Sequence, residues 1–86
     1  MDNKQRIREF VTSNFFVQDV AGLGDAASLL DLGVVDSTGV LEIIGFLETT
    51  YGFPVDDDEI VPDNLDSIER ITSYVERKLA ATGGAR

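Results

Sequence analysis

Asp36 and Ser37 are adjacent residues whose side chains suit chemistry at the start of a helix. Behind them, apolar residues recur at the spacing of one helix face, at Val40, Ile43, Ile44, Leu47 and Tyr51. Asp36 has the residue type and position of an N-cap, because its carboxylate can accept hydrogen bonds from the free backbone N–H groups of the first turn. The Ser37 hydroxyl then points outward, where those N–H groups and the positive end of the helix dipole favour a phosphate attached or held there.

A plainer interpretation is that Ser37 is itself only a capping serine. The chain would then be a helical interaction module without a prosthetic group, and its acids would only keep it in solution. In that case Ser37→Ala lowers stability by about 1 kcal/mol and leaves partner function intact. The pair alone does not decide between the two interpretations, so the rest of the chain must.

The composition excludes several classes of site. The 86 residues suit one small domain, and they include no Cys and no His. Disulfides, thiolate metal sites, the commonest zinc ligand and the commonest general base are therefore unavailable, and we predict that the chain is not an enzyme. The first residues lead into an amphipathic pattern instead of an apolar signal region, and no apolar run could span a bilayer. The sequence thus predicts a cytoplasmic protein that does not insert into membranes.

Charge is distributed unevenly along the chain. The net charge is −9, and no Lys or Arg occurs between Glu9 and Glu69, a span that contains fourteen of the sixteen acidic residues. Such a surface repels nucleic acid and anionic membranes. It either serves only solubility or steers basic partner proteins into fast, weak encounters.

Hydrophobic spacing predicts three main helices and no useful strand. The first covers about residues 3–16, the second runs from residue 37 to about residue 51, where Gly52 has the position of a C-terminal cap, and the last ends near residue 81. Asp66, with Glu69 three residues later, has the form of a capping box that opens the last helix.

The segment from residue 17 to residue 36 is a long predicted loop for so compact a domain. Its leucines and valines are too apolar for a free loop, so we expect it to fold back and cover the helices. Asp25 could cap a short turn that runs to Leu30.

Four consecutive acids invite a metal-site interpretation: Asp56, Asp57, Asp58 and Glu59. An EF-hand loop that began at Asp56 would need Gly at its sixth position and Glu at its twelfth, where the chain has Val61 and Ser67. No firm metal site is predicted, and a weak divalent-ion patch or a weak divalent-ion binder remains as an alternative. Relief of repulsion would then make the melting temperature rise with millimolar divalent ions.

These features together resemble the acyl carrier protein family over about residues 3–81. The residues that support the resemblance are Leu30-Asp31-Leu32-Gly33-Val34-Val35 in the loop, the Asp36-Ser37 pair, Glu42 and Glu48 in the second helix, Phe53-Pro54-Val55 after it, and Ile68, Ile71 and Val75 in the last helix. The resemblance implies an all-α fold, a small three-to-four-helix bundle of acyl-carrier type with a long loop between the first two helices. The carrier domain would cover residues 1–82, and residues 83–86 would be a disordered tail.

In that family the serine that matches Ser37 is esterified with phosphopantetheine from coenzyme A by a phosphopantetheinyl transferase. The arm's thiol then holds acyl or aminoacyl groups as thioesters. The resemblance implies that Asp36 helps to organise Mg²⁺ and the cofactor during attachment, and that the chain is a non-catalytic, monomeric carrier. Its partners would be the transferase, an acyl- or aminoacyl-loading ligase or synthetase, and synthase enzymes with basic surfaces. The main hypothesis is a carrier for fatty-acid, modified-lipid or polyketide-type synthesis, and the alternative is an aminoacyl or peptidyl carrier.

The exposed side of the second helix is the predicted partner surface, formed by Thr38, Leu41, Glu42, Gly45 and Glu48. Typical fatty-acid carriers have Leu after the serine and a large apolar residue in mid-helix, whereas this chain has Thr38 and two glycines, Gly39 and Gly45. We therefore expect a specialised carrier. A pocket among Ile44, Phe46, Leu47 and Ile60 could protect a cargo chain, since burial of each CH₂ is worth about 0.8 kcal/mol.

Overall fold

The computed structural model describes residues 2–15, 17 and 22–81, and these form a helical bundle. The helices are α1 (Asn3–Asn14), α2 (Ser37–Tyr51), α3 (Pro62–Leu65) and α4 (Ile68–Ala81), with a 3-10 turn at Asp57–Glu59 before α3. No strand occurs in these ranges. The prediction of a small all-α bundle is therefore confirmed.

Helix α4 lies at the centre of the packing, because it contacts α1, α2 and α3. Its buried residues are Ile68, Ile71, Thr72, Tyr74 and Val75. The Thr72 hydroxyl, a polar group on this apolar face, donates to the Ile68 carbonyl at 2.8 Å, so its burial leaves no unpaired donor.

The long loop contributes to the core as predicted, although not with all of its apolar residues. Leu23, Leu29 and Val35 are buried together with core residues of α1, α2 and α4. Leu30 and Leu32, by contrast, remain 40% and 59% exposed. Part of the loop therefore covers the helices, and part presents apolar side chains to solvent.

Helix α2 has the predicted bounds. Gly52 is its C-cap with φ of 76°, a left-handed conformation that favours glycine, and the Gly52 N–H donates to the Glu48 carbonyl at 3.0 Å. Helix α1 ends two residues earlier than predicted, with Phe15 as C-cap, and Phe16 lies outside the described residues. The predicted tail, residues 83–86, lies outside them as well.

The predicted role of Asp66 in a capping box is wrong. Helix α4 begins at Ile68, and the Ser67 hydroxyl oxygen accepts the Arg70 N–H at 3.0 Å, so Ser67 is its cap. Asp66 instead ends α3, a short helix that sequence spacing did not reveal. Pro62 at the first position of α3 is the signal that could have found it, since proline is favoured at that position.

Asp25 does not cap a turn through its side chain. Its carboxylate forms ion pairs with Lys4 at 3.3 Å and with Arg8, both on α1, and the hydrogen bond from Arg8 is the main cause of its lowered pKa. The Asp25 carbonyl accepts the Glu69 N–H of α4 at 2.9 Å. Asp25 thus ties the loop to two helices, which local sequence spacing could not reveal.

Candidate functional site

Ser37 is the first residue of α2 and is exposed to solvent. Asp36 before it has an extended backbone, and its Oδ1 accepts the Gly39 N–H at 2.8 Å while its carbonyl accepts the Val40 N–H at 2.9 Å. The prediction that Asp36 is the N-cap is therefore confirmed. The Ser37 hydroxyl has no hydrogen-bond partner within the described part of the chain, so it is not needed as a cap.

The backbone at this position can donate hydrogen bonds to an anion. The backbone N–H groups of Ser37 and Thr38 belong to the first turn, where no preceding carbonyl can accept them. They add to the positive end of the dipole of a 15-residue helix. A phosphate bonded to the Ser37 oxygen would therefore meet backbone donors at the start of α2 without any cationic side chain.

A groove of about 330 Å³ opens beside Ser37. It is lined by Leu30, Ser37, Val40, Leu41, Ile60, Val61, Pro62 and Leu65. Of the four residues predicted to line a cargo pocket, Ile60 lines this groove. Ile44 and Leu47 are core residues, and the Phe46 ring stacks on that of Phe10 with centroids 4.1 Å apart.

The predicted partner surface is exposed along its whole length, at Thr38, Leu41, Glu42, Gly45 and Glu48. Leu41 is 64% exposed. Glu48 also stabilises the turn after α2, because its Oε2 accepts the Val55 N–H at 2.9 Å. Sequence reasoning missed Leu30 and Val61, which are partly exposed beside Leu41 and line the same groove.

The basic residues of the described chain are held by contacts that do not involve Ser37. Lys4 and Arg8 pair with Asp25, Arg6 lies 5.9 Å from the Tyr51 ring centroid, Arg70 pairs with Asp63, Arg77 donates to Asn64, and Lys78 pairs with Glu59. Asp31, Asp36 and Glu42 have no ion-pair partner among the residues that the structure describes. The end of the bundle that presents Ser37 is therefore negatively charged.

The acidic run after α2 does not converge on one point. Glu59 turns to α4, where its Oε1 accepts the Tyr74 hydroxyl at 3.0 Å and Lys78 Nζ at 2.9 Å. The hydrogen bond that Lys78 donates is the main cause of the lowered pKa of Glu59. In the described ranges, no group of three or more acidic side chains is placed to hold a metal ion. The weak divalent patch thus stays a prediction that rests on Asp56, Asp57 and Asp58.

Neither a base nor a cation contacts the Ser37 hydroxyl in the part of the chain that the structure covers. Within the same ranges, no helix has the length and apolar character that crossing a membrane requires.

Comparison with known proteins finds carrier proteins among the relatives of this chain. No family model matches the chain. A D-alanyl carrier protein of Streptococcus pyogenes serotype M5 (strain Manfredo) is 36% identical over 61 residues, which are 71% of this chain and 76% of that protein. A D-alanyl carrier protein of Abiotrophia defectiva is 32% identical over 54 residues, which are 63% of this chain and 68% of that protein. The chain therefore belongs to the acyl carrier protein family and is a non-catalytic carrier protein.

Proposed function

We propose that the chain carries an acyl or aminoacyl group on a phosphopantetheine arm esterified to Ser37. The observation that supports this most directly is the exposed hydroxyl of Ser37, which has no hydrogen-bond partner among the described residues because Asp36 supplies the cap. When bound, the arm supplies a terminal thiol that holds the cargo as a thioester. The phosphate end would be held by the Ser37 oxygen and by the free N–H groups of Ser37 and Thr38.

Asp36 supports attachment in a second way. Its Oδ1 caps α2, whereas its Oδ2 makes no hydrogen bond to the described chain, and the residue is exposed. Oxygen ligands of this kind suit Mg²⁺, which binds through one or two carboxylates together with substrate phosphates. Asp36 would therefore help a phosphopantetheinyl transferase to hold Mg²⁺ and coenzyme A only while the arm is attached.

An aminoacyl cargo of the D-alanyl type is the form of this function that we favour. The names of the two relatives support it. At neutral pH the ammonium group of such a cargo keeps its positive charge and stays in water. Asp31, Asp36 and Glu42 give this end of the bundle the complementary negative charge. A fatty-acyl or polyketide-type cargo is the second candidate, because the groove beside Ser37 is lined mainly by apolar side chains.

The partners would be the transferase and an acyl- or aminoacyl-loading ligase, each with a basic surface. Leu41, which is 64% exposed, offers them an apolar contact on the same predicted surface as the carboxylates of Glu42 and Glu48. Encounters steered by these charges slow as salt concentration rises. We expect Glu42→Lys to raise the KM of the transferase for this chain. Glu76→Lys, a change at an exposed acid of α4, should leave that KM unchanged.

Attachment of the arm is tested by intact-mass measurement after incubation with coenzyme A, Mg²⁺ and a broad-specificity phosphopantetheinyl transferase. We expect one added phosphopantetheine on the wild-type chain and on Ser73→Ala, an exposed serine of α4, and none on Ser37→Ala. No addition to the wild-type chain, or addition to Ser37→Ala, would refute the proposal.

Cargo class is tested on the chain that has received its arm. One reaction contains D-alanine, ATP and an amino-acid-adenylating ligase, and the other contains a fatty acid, ATP and an acyl-adenylating enzyme. If hydroxylamine at neutral pH releases the loaded group, that group was held as a thioester. Loading by the acyl enzyme alone would overturn the preference for an aminoacyl cargo and support the second candidate.

A further inference from the structure

Asp66 joins the junction of α3 and α4 to the long loop. Its Oδ2 accepts the Ser28 hydroxyl at 2.6 Å and its Oδ1 accepts the Leu30 N–H at 3.0 Å. Its backbone carbonyl accepts the Leu29 N–H at 2.6 Å. Asp66 therefore accepts three hydrogen bonds from three consecutive loop residues that are distant from it in the sequence.

The loop residues that Asp66 holds belong to a compact unit, residues 28–35, which we call the wall loop. The Leu29 carbonyl accepts the N–H groups of Val34 and Val35 at 3.0 and 3.2 Å, and Gly33, with φ of 73°, donates to the Leu30 carbonyl at 3.1 Å. Leu29 is fully buried beneath this turn. The wall loop is hydrogen-bonded internally and continues directly into Asp36, the cap of α2.

The wall loop forms one side of the groove beside Ser37. Leu30 lines that side, and Val61, Pro62 and Leu65 line the side that α3 forms. Asp66 follows Leu65 directly and bonds to the Leu30 backbone. One residue thus holds the two sides of the groove together.

We propose that Asp66 is a positioning residue that holds the wall loop against α3 and so sets the groove surface that a modifying enzyme meets beside Ser37. This inference rests on the proposed function. A carboxylate suits the role because its two oxygens accept two different donors at once. An amide suits it nearly as well: its oxygen can accept the Leu30 N–H, and its NH₂ group can donate to the Ser28 oxygen, which also accepts the Asp31 N–H at 3.1 Å.

The variants follow from these contacts. Asp66→Ala removes both side-chain hydrogen bonds, and Asp66→Asn keeps a version of both. Ser28→Ala removes one of them, together with the hydrogen bond that the Asp31 N–H donates to the Ser28 oxygen, and it tests the same contact if Asp66→Ala does not fold. Asp63→Ala is the matched control, since Asp63 is an acid of α3 with a 92% exposed side chain whose contact is an ion pair with Arg70.

The first readout is the kinetics of phosphopantetheine transfer to Ser37, with the carrier chain as the varied substrate. We expect KM to rise by up to about tenfold for Asp66→Ala with little change in kcat, because two hydrogen bonds of ordinary net strength shift the equilibrium between a held and a released wall loop by roughly a factor of ten, which is the upper limit of the rise. Ser28→Ala should give a smaller rise, and Asp66→Asn and Asp63→Ala should resemble the wild-type chain.

The second readout is amide hydrogen exchange of the chain without its arm. Asp66→Ala should speed exchange at Leu30, Val34 and Val35 and leave Ile71 in α4 protected, which separates local release of the wall loop from general loss of stability.

The outcomes distinguish the two proposals. If the wild-type chain is not modified, the proposed function fails, and the role of Asp66 fails with it. If the wild-type chain is modified but Asp66→Ala has an unchanged KM, or exchanges faster throughout the bundle, the proposed function stands and the positioning role is refuted.

Discussion

Two glycines of α2 give opposite expectations for the same substitution. Gly45 is exposed, and a Cβ added there would have no atom within 4 Å. Glycine in a helix interior is about 1 kcal/mol less favourable than alanine. Gly45→Ala should therefore raise the free energy of unfolding by about 1 kcal/mol.

Gly39 is buried under the rings and methyl groups of its neighbours. A Cβ added there would lie 2.8 Å from Phe15 Cε1 and 3.1 Å from Val35 Cγ1. Optimal carbon–carbon contacts are about 3.5–4.0 Å, so the neighbours must move. Overpacking of this kind costs about 1–3 kcal/mol, against a gain of about 1 kcal/mol in helix propensity. Gly39→Ala should thus be about 0–2 kcal/mol less stable than the wild-type chain.

Urea unfolding followed by far-ultraviolet circular dichroism measures both variants. The difference between them should be about 1–3 kcal/mol, and each kcal/mol corresponds to about 4–8 °C in Tm for a domain of this size. Phe15→Ala supplies the control: because the ring is then absent, Gly39→Ala should cost less in that background, and the cycle should show a coupling energy. Equal stabilisation by the two alanines, or no coupling with Phe15, would refute the close approach of Phe15 to α2.

Three further measurements test the site and its surroundings. Asp36→Ala should lower the free energy of unfolding by about 1 kcal/mol, whereas Ser37→Ala should change it by less than about 0.5 kcal/mol. If Ser37→Ala lowered it more than Asp36→Ala, Ser37 would be the cap of α2. Because the pKa of Glu59 is lowered by Lys78, its contribution to stability is present above the ordinary carboxyl pKa and is lost as pH falls through the lowered one. Glu59→Gln should therefore flatten the fall in Tm with acidification, and an unchanged Tm profile would contradict the ion pair. Millimolar Ca²⁺ or Mg²⁺ should raise Tm by relieving repulsion among residues 56–58, and a rise no larger than that in NaCl of equal ionic strength would exclude a bound ion.

Helix α2 and its caps could be predicted from the sequence because the interactions that set them are local. The hydrogen bond that the Gly39 N–H donates to Asp36 spans three residues, and the left-handed turn at Gly52 depends on that residue alone. The exposure of Ser37 follows from the same cap. These features give the resemblance to a carrier protein its physical basis, so the family could be recognised before any tertiary contact was known.

Asp66 is the clearest case that the sequence could not settle. Its spacing to Glu69 is that of a capping box, yet its carboxylate bonds to Ser28 and Leu30, and Ser67 caps α4 instead. Asp25 likewise pairs with α1 and not with its own turn. A side chain with two acceptors takes the donors that packing brings to it, and spacing along the chain does not reveal which donors those are.

Sequence alone thus determined the fold class, the bounds and caps of α2, and the serine at its start, because helix periodicity and capping act within a few residues. Tertiary structure decided where the loop lies, which leucines stay exposed, and that Leu30 and α3 form a groove beside Ser37. It also decided that Gly39 lies close to Phe15, a residue of another element. Those outcomes depend on contacts between residues that are far apart in the chain. Hydrophobic spacing does not reveal which distant residues come into contact.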